Sequence, residues 1–274
     1  MAYEHLGEGV LDYYPCRYGK SKLLFRGPRK KLDKPYVAFL GGTEVYGKFI
    51  ERSLPEVLGG LIDRPVVNLG CVNAGTDLVV NDDTVIDICR NAEVTVVQIT
   101  GAQNTSNRFY SVHPRRNDRF LKASKLLSTI FRDVDFTEFH FTRHLLSHLA
   151  ERSPQKFEMV QQELKDAWVA RMQSMMAKIG GNFVLLWMSD RTPDATCEEW
   201  SSRDPLFVDR AMLDAVADQA KDIVEVVAIH EEIEAGFDRM VYPQFEELAA
   251  REMLGPIVHA AAAKALQASL NKLL

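Results

Sequence analysis

Thr43 stands directly after the glycine pair Gly41-Gly42, which closes the apolar run from Tyr36 to Leu40. A hydroxyl there could attack a carbonyl, contact a ligand, or cap the helix that follows, since Ser, Thr and Asn are the commonest N-caps. A second concentration of polar groups, Gln103, Asn104, Thr105, Ser106 and Asn107, follows another apolar run and Gly101. Such a loop either faces a ligand or serves plain turn chemistry. Arg108, His113, Arg115, Arg116 and Arg119 come next. Guanidinium forks at that position fit carboxylate, phosphate or sulfate, the alternative being a solvated basic face. Residues 13 to 34 hold eight Lys or Arg against the single acid Asp33. From this arm Arg17, Lys20, Lys22 and Arg26 are expected to fold over the same edge, and Tyr13, Tyr14 and Tyr18 beside them either stack on a sugar or base or pack. The backbone N–H groups of Gly41, Gly42, Gly70 and Gly101 either meet an anion or merely allow tight turns. Asp190 and Asp194 either orient a base or belong to a polar loop. His140, His144 and His148 recur every fourth residue. Without the carboxylate of H-E-x-x-H, that spacing points to a structural helix, and no metal or cofactor is expected.

These residues need elements to position them. Tyr36 to Leu40, Val66 to Leu69, Val94 to Ile99, Phe183 to Trp187 and Ile223 to Ala228 are short apolar runs, the first three closed by glycine. Helical spacing follows the first from Glu44 to Gly60 and the second from Asp82 to Cys89, and an Ala-rich stretch from Ala260 to Leu274 ends the chain. Five buried strands alternating with helices predict an α/β fold, a five-stranded, doubly wound parallel sheet in three layers. Ligands of such sheets bind outside the carboxyl ends of the strands, here just after Leu40, Leu69, Ile99, Trp187 and Ala228. Residues 106–180 read as a mostly helical insertion capping the sheet, with Phe157, Val160, Leu164, Trp168 and Met172 at three- and four-residue steps and Met175 and Met176 as core filler. Residues 1–274 are expected to form one domain, with residues 1–34 as its basic N-terminal arm.

Phe39-Leu-Gly-Gly-Thr-Glu-Val-Tyr-Gly47 resembles the first block of the SGNH, or GDSL-type, hydrolases, with Thr43 in place of the serine and Gly42 in place of the aspartate. Val67-Asn-Leu-Gly70 resembles their second block and Thr100-Gly-Ala-Gln-Asn104 their third. The resemblance implies Thr43 as nucleophile, with the Gly70 N–H and the side chain of Gln103 or Asn104 as oxyanion donors, since a tetrahedral oxyanion needs several preorganised donors about 3 Å away. The last block of the family, D-x-x-H-P, finds its nearest counterpart in Arg239-Met-Val-Tyr-Pro243, with arginine and tyrosine at the acid and base positions. His259, in Gly255-Pro-Ile-Val-His, and His230, after the fifth strand, are the remaining candidates for a base. The segment from Ser111 to Arg119 and the basic arm are also similar to an uncharacterised family of bacterial proteins, which supplies no mechanism.

Composition narrows the classes further. With 274 residues, 46% hydrophobic and 26% charged, the chain can bury a sizeable core, which excludes collagenous, disordered and small disulfide scaffolds. A net charge of -5 argues against a nucleic-acid partner. No apolar run approaches a membrane span, and Met1 to Tyr14 lacks the basic and apolar regions of a signal peptide, so a soluble, cytoplasmic protein is expected. Cys16, Cys71, Cys89 and Cys197 are spread apart and read as reduced thiols. The leading expectation is an SGNH-like hydrolase or acyl-type transferase acting on an ester of an anionic carbohydrate or lipid. In it Gly42, Arg17, Lys20, Arg108, His113, Arg115, Arg116 and Arg119 bind the substrate. Two alternatives stay open: a group transferase using a phosphorylated or sulfated nucleotide donor, and a non-catalytic anionic-ligand-binding protein on a decayed hydrolase fold. A homo-oligomer also stays open.

Overall fold

The computed structural model describes residues 11–195 and 204–274. The strands are β1 (Val37–Gly41), β2 (Val66–Gly70), β3 (Val94–Gln98), β4 (Tyr110–His113), β5 (Arg116–Ala123), β6 (Phe183–Ser189) and β7 (Asp222–Val227). The helices are α1 (Thr43–Tyr46), α2 (Leu54–Gly59), α3 (Thr76–Val80), α4 (Asp83–Arg90), α5 (Lys125–Ile130), α6 (Thr142–Arg152), α7 (Pro154–Ile179), α8 (Arg210–Ala217), α9 (His230–Phe237), α10 (Glu247–Arg251) and α11 (Pro256–Leu270). The main sheet is parallel throughout, in the order β2-β1-β3-β6-β7. β1 lies between β2 and β3, where the chain direction across the sheet reverses, so the crevice beside its carboxyl end is the switch point of a doubly wound sheet.

The strands β1, β2, β3 and β6 are buried on both faces, as their apolar runs require, and the edge strand β7 is partly exposed. Ala38, Leu40, Val67, Leu69, Leu185 and Trp187 join one core with α3, α4, α7 and α8. Val37, Phe39, Val66, Val96, Leu186 and Met188 join another with α2, α9 and α11. The period of two along each strand divides the layers.

Two expectations are corrected. The stretch from Glu44 to Gly60 is not one helix: α1 ends at Gly47, left-handed at φ 77°, and Phe49 has φ 65°, so the chain turns before α2 begins behind Ser53. The insertion is mostly helical but is not a separate cap over the sheet. Its start is the antiparallel pair β4–β5, with register shifts around Val112, and its longest helix, α7, is the crossover between β3 and β6 that forms part of a helical layer. Trp168 of α7 is fully buried and donates its indole N–H to the Thr100 carbonyl, which pins the helix to the end of β3.

Arg26 is corrected too. It is buried and donates to the carbonyls of Gly47, Ile50 and Glu51 at 2.6, 2.7 and 2.6 Å, holding the turn after α1 instead of facing a ligand. Burial lowers its pKa from the ordinary guanidinium value. Tyr13 accepts the Phe49 N–H, and Tyr18 is buried and accepts that of Lys30, so both pack.

Candidate functional site

A cavity of about 480 Å³ opens at the carboxyl ends of β1, β3 and β6. Thr43 stands on its wall as the first residue of α1, and β1 delivers it there. Helix and strand approach closely: a Cβ at Gly70 would lie 2.4 Å from the Tyr46 nitrogen, so the second strand must end in glycine.

The Thr43 hydroxyl is closed onto one residue. It accepts the Asn73 backbone N–H at 2.9 Å and donates to Asn73 Oδ1 at 3.2 Å. Asn73 sits at φ 55°, a left-handed conformation asparagine tolerates. Asn104 donates to the Asn73 carbonyl at 3.1 Å and accepts from the Thr142 hydroxyl at 2.9 Å, and Asn73 donates to Asp118 at 3.2 Å. One polar chain thus runs from α6 to Thr43.

The expected oxyanion donors are each engaged inside the protein. The Gly42 N–H goes to Gln98 Oε1 at 3.0 Å and the Gly70 N–H to Asn68 Oδ1 at 2.9 Å. Gln103 donates to Asp204 at 2.9 Å, and Asn104 donates to the Asn73 carbonyl.

Neither histidine is brought to Thr43. His259 is fully buried, and its Nε2 lies 3.1 Å from Glu44 Oε2, while Glu44 Oε1 accepts the Leu254 N–H at 3.1 Å. Glu44 lines the pocket, so a carboxylate faces the cavity and an imidazole stands behind it. His230 is exposed at the start of α9 and is not part of the pocket lining. At the position of the missing last block, Tyr242 packs edge-on against Phe49 with centroids 6.0 Å apart.

The basic residues separate into three places. Arg108 pairs with the buried Glu163 of α7 and so holds the polar loop to that helix. Lys20 lies with Tyr36 and Glu93, at the opposite end of the sheet from the pocket, and Arg17 is exposed on the arm. Lys22, His113, Arg115, Arg116, Arg119 and His140 instead line a separate open groove of about 800 Å³, with Tyr46 and Cys71 among its walls. This groove adjoins the pocket at Val72, which lines both. Burial pushes the Cys71 thiol up to about 12.

Most of the remaining candidates resolve as structure. Asp194 pairs with Arg210 at 2.9 Å, and His144 and His148 pack on Phe139 with centroids 4.9 and 5.2 Å away. Met172, Met175 and Met176 are core. Asp190 lines the pocket. Cys197 lies outside the described residues. The sequence reading missed Glu44, Asn73, Lys48, Arg143, Asp204 and Glu252, all on the pocket wall. Glu44 carried a signal, its place beside Thr43; Asn73 and Glu252 carried none.

A family model described as "Domain of unknown function (DUF6473)" matches residues 1–274. A search of curated proteins finds no match. Among solved structures, the chain is similar to a lipase from a goat rumen metagenome, at 12% identity over 82% of this chain and 100% of that one, with a TM-score of 0.39. It is similar to the YXIM protein of Bacillus subtilis at 13% identity over 87% of this chain and 57% of that one, with a TM-score of 0.40. A gut microbial diltiazem-metabolizing enzyme matches at 9% identity over 86% and 47%, with a TM-score of 0.41.

Proposed function

We propose that this chain, which belongs to the DUF6473 family, binds an anionic carbohydrate or lipid at the strand ends, across the pocket and the basic groove that adjoins it, without cleaving it by nucleophilic catalysis. The observation that carries this reading is the closure of the Thr43 hydroxyl on Asn73 as both acceptor and donor. A hydroxyl attacks at neutral pH only when a base takes its proton, and Asn73 is not a base. The engaged glycine N–H groups point the same way, since acyl transfer draws much of its rate from free donors waiting for the oxyanion. Thr43 and the pocket amides then hold the shape of the pocket wall through their internal hydrogen bonds.

One observation favours a second reading, hydrolysis or acyl transfer by a rewired site. Glu44 follows Thr43 directly, faces the cavity and is braced by His259. In that scheme Thr43 Oγ would add to the ester carbonyl, Glu44 would take the hydroxyl proton and pass it to the leaving alcohol, and water or an acceptor alcohol would then receive the acyl group.

A panel of acyl esters of neutral and acidic sugars and of lipids, assayed with the parent chain and Thr43→Ala, separates the two. The expected result is no release above buffer by either protein, with saturable binding of an acidic ligand. Turnover by the parent chain that Thr43→Ala abolishes, with the fold unchanged by circular dichroism, would establish the second reading.

A further inference from the structure

The two adjoining cavities carry opposite charge. The strand-end pocket presents the carboxylates Glu44, Asp190, Asp204 and Glu252 against two cations, Lys48 and Arg143, and those cations are paired with Glu246 at 2.6 Å and Asp204 at 3.0 Å. An oxyanion entering it would meet an excess of like charge. A ring bearing several hydroxyl groups would meet acceptors, since ionised carboxylates accept only and each hydroxyl brings a proton to donate. Asn73, Thr100 and Ser189 add further polar atoms to the wall.

The neighbouring groove is the reverse. Lys22, Arg115, Arg116 and Arg119 line it with two imidazoles, and among the described residues no carboxylate lines it. Arg115 and Arg116 sit at the turn and first position of the β4–β5 hairpin, both exposed. None of these four cations forms an ion pair among the described residues, whereas Arg64, Arg90, Arg108, Arg152 and Arg210 each do. The whole chain carries a net charge of -5, so this concentration of unpaired cations runs against the general charge of the protein. Arg119 is seated over the Phe141 ring at 4.4 Å, which orders its guanidinium plane.

We infer that the two cavities are subsites for one ligand, an acidic oligosaccharide: an uncharged sugar unit lies in the strand-end pocket, and the carboxylate, sulfate or phosphate of the adjoining unit lies in the basic groove. Val72, common to both walls, is the point the ligand crosses. This inference rests on the proposed binding role and specifies its ligand. The four carboxylates on the pocket wall favour a hydroxylated sugar unit, whose protons they accept, over a second acidic unit.

The test is isothermal titration with three tetrasaccharides that each carry a single acidic unit, bearing a glucuronic acid, a sulfate ester or a phosphate monoester. The uncharged tetrasaccharide and inorganic sulfate serve as controls. At least one acidic tetrasaccharide is expected to bind tenfold or more tighter than both controls. The Arg115→Ala/Arg116→Ala double variant is expected to weaken that binding at least tenfold, since both side chains are exposed and their removal spares the core. Glu252→Gln is expected to weaken binding of the tetrasaccharide and leave that of sulfate unchanged. Sulfate binding as tightly as every tetrasaccharide, an adventitious ion only, overturns the inference, as does unchanged affinity in the double variant or no saturable binding by any acidic tetrasaccharide. Release of acetate from O-acetylated forms of the same sugars would end the non-catalytic reading alone; binding still lost in the double variant would uphold the shared subsites.

Discussion

At the scale of single residues, what decides the chemistry is where each polar atom spends its hydrogen bonds. Thr43 was legible in the sequence as a candidate because a hydroxyl after a glycine-closed strand is conspicuous. Its partner Asn73 was not, because nothing in Cys71-Val-Asn-Ala-Gly75 marks which loop atom will fold back 30 residues to meet it. Arg26 misled for a related reason: in sequence it is one of eight cations in the arm, and only the packed turn reveals three carbonyls waiting for a single guanidinium. Arg26→Met should therefore destabilise the protein by roughly 3 kcal/mol, the penalty for leaving buried carbonyls unpaired, as measured by urea unfolding. A surface arginine such as Arg17 should change stability by less than about 0.5 kcal/mol when replaced by alanine. Cys71 supplies a chemical check on burial. With its pKa near 12, its thiolate fraction at pH 8 is on the order of 10⁻⁴, so iodoacetamide should leave Cys71 intact in the folded protein and modify it readily in urea.

At the scale of elements, the parallel strands were readable and the hairpin was not. β1, β2, β3 and β6 are mostly apolar runs, a pattern that short strands buried on both faces impose, and the edge strand β7 was readable from Ile223, Val224, Val226 and Val227 although only Val224 is buried. β5 reads Arg-Asn-Asp-Arg-Phe-Leu-Lys-Ala and is mostly polar, and the register shifts around Val112 break the alternation that would have shown a half-buried strand. What holds that hairpin in place is a buried asparagine. Asn117 accepts the N–H groups of Gly75 and Leu78 at 2.9 and 3.1 Å and donates to the His113 carbonyl. It thus ties the loop that carries Asn73 to the strand pair that carries the groove arginines. Asn117→Ala should cost about 2 kcal/mol. It should also speed amide exchange at Gly75 and Leu78 well beyond the general loosening of the chain. Uniform acceleration across all amides would deny Asn117 this local role.

At the scale of the whole molecule, the order β2-β1-β3-β6-β7 creates a crevice beside β1, and the pocket lies there, as sheets of this kind require. The location of the site was therefore readable from the alternation of strands and helices, before any side chain was placed. The distribution of charge around it was not, because it depends on which cations find partners. Arg108 is taken by Glu163 and Arg143 by Asp204, Lys20 is carried to the far end of the sheet, and Lys22 and the hairpin arginines gather beside the pocket. Among the described residues no helix is long and apolar enough to cross a membrane. The central claim is that Thr43 is a bound hydroxyl and not a nucleophile. Exposure of the folded protein to an excess of a fluorophosphonate, followed by intact-mass and peptide mass spectrometry, tests it most directly. The account predicts no adduct on Thr43; a stoichiometric phosphonyl adduct there, absent from the unfolded chain, would contradict it.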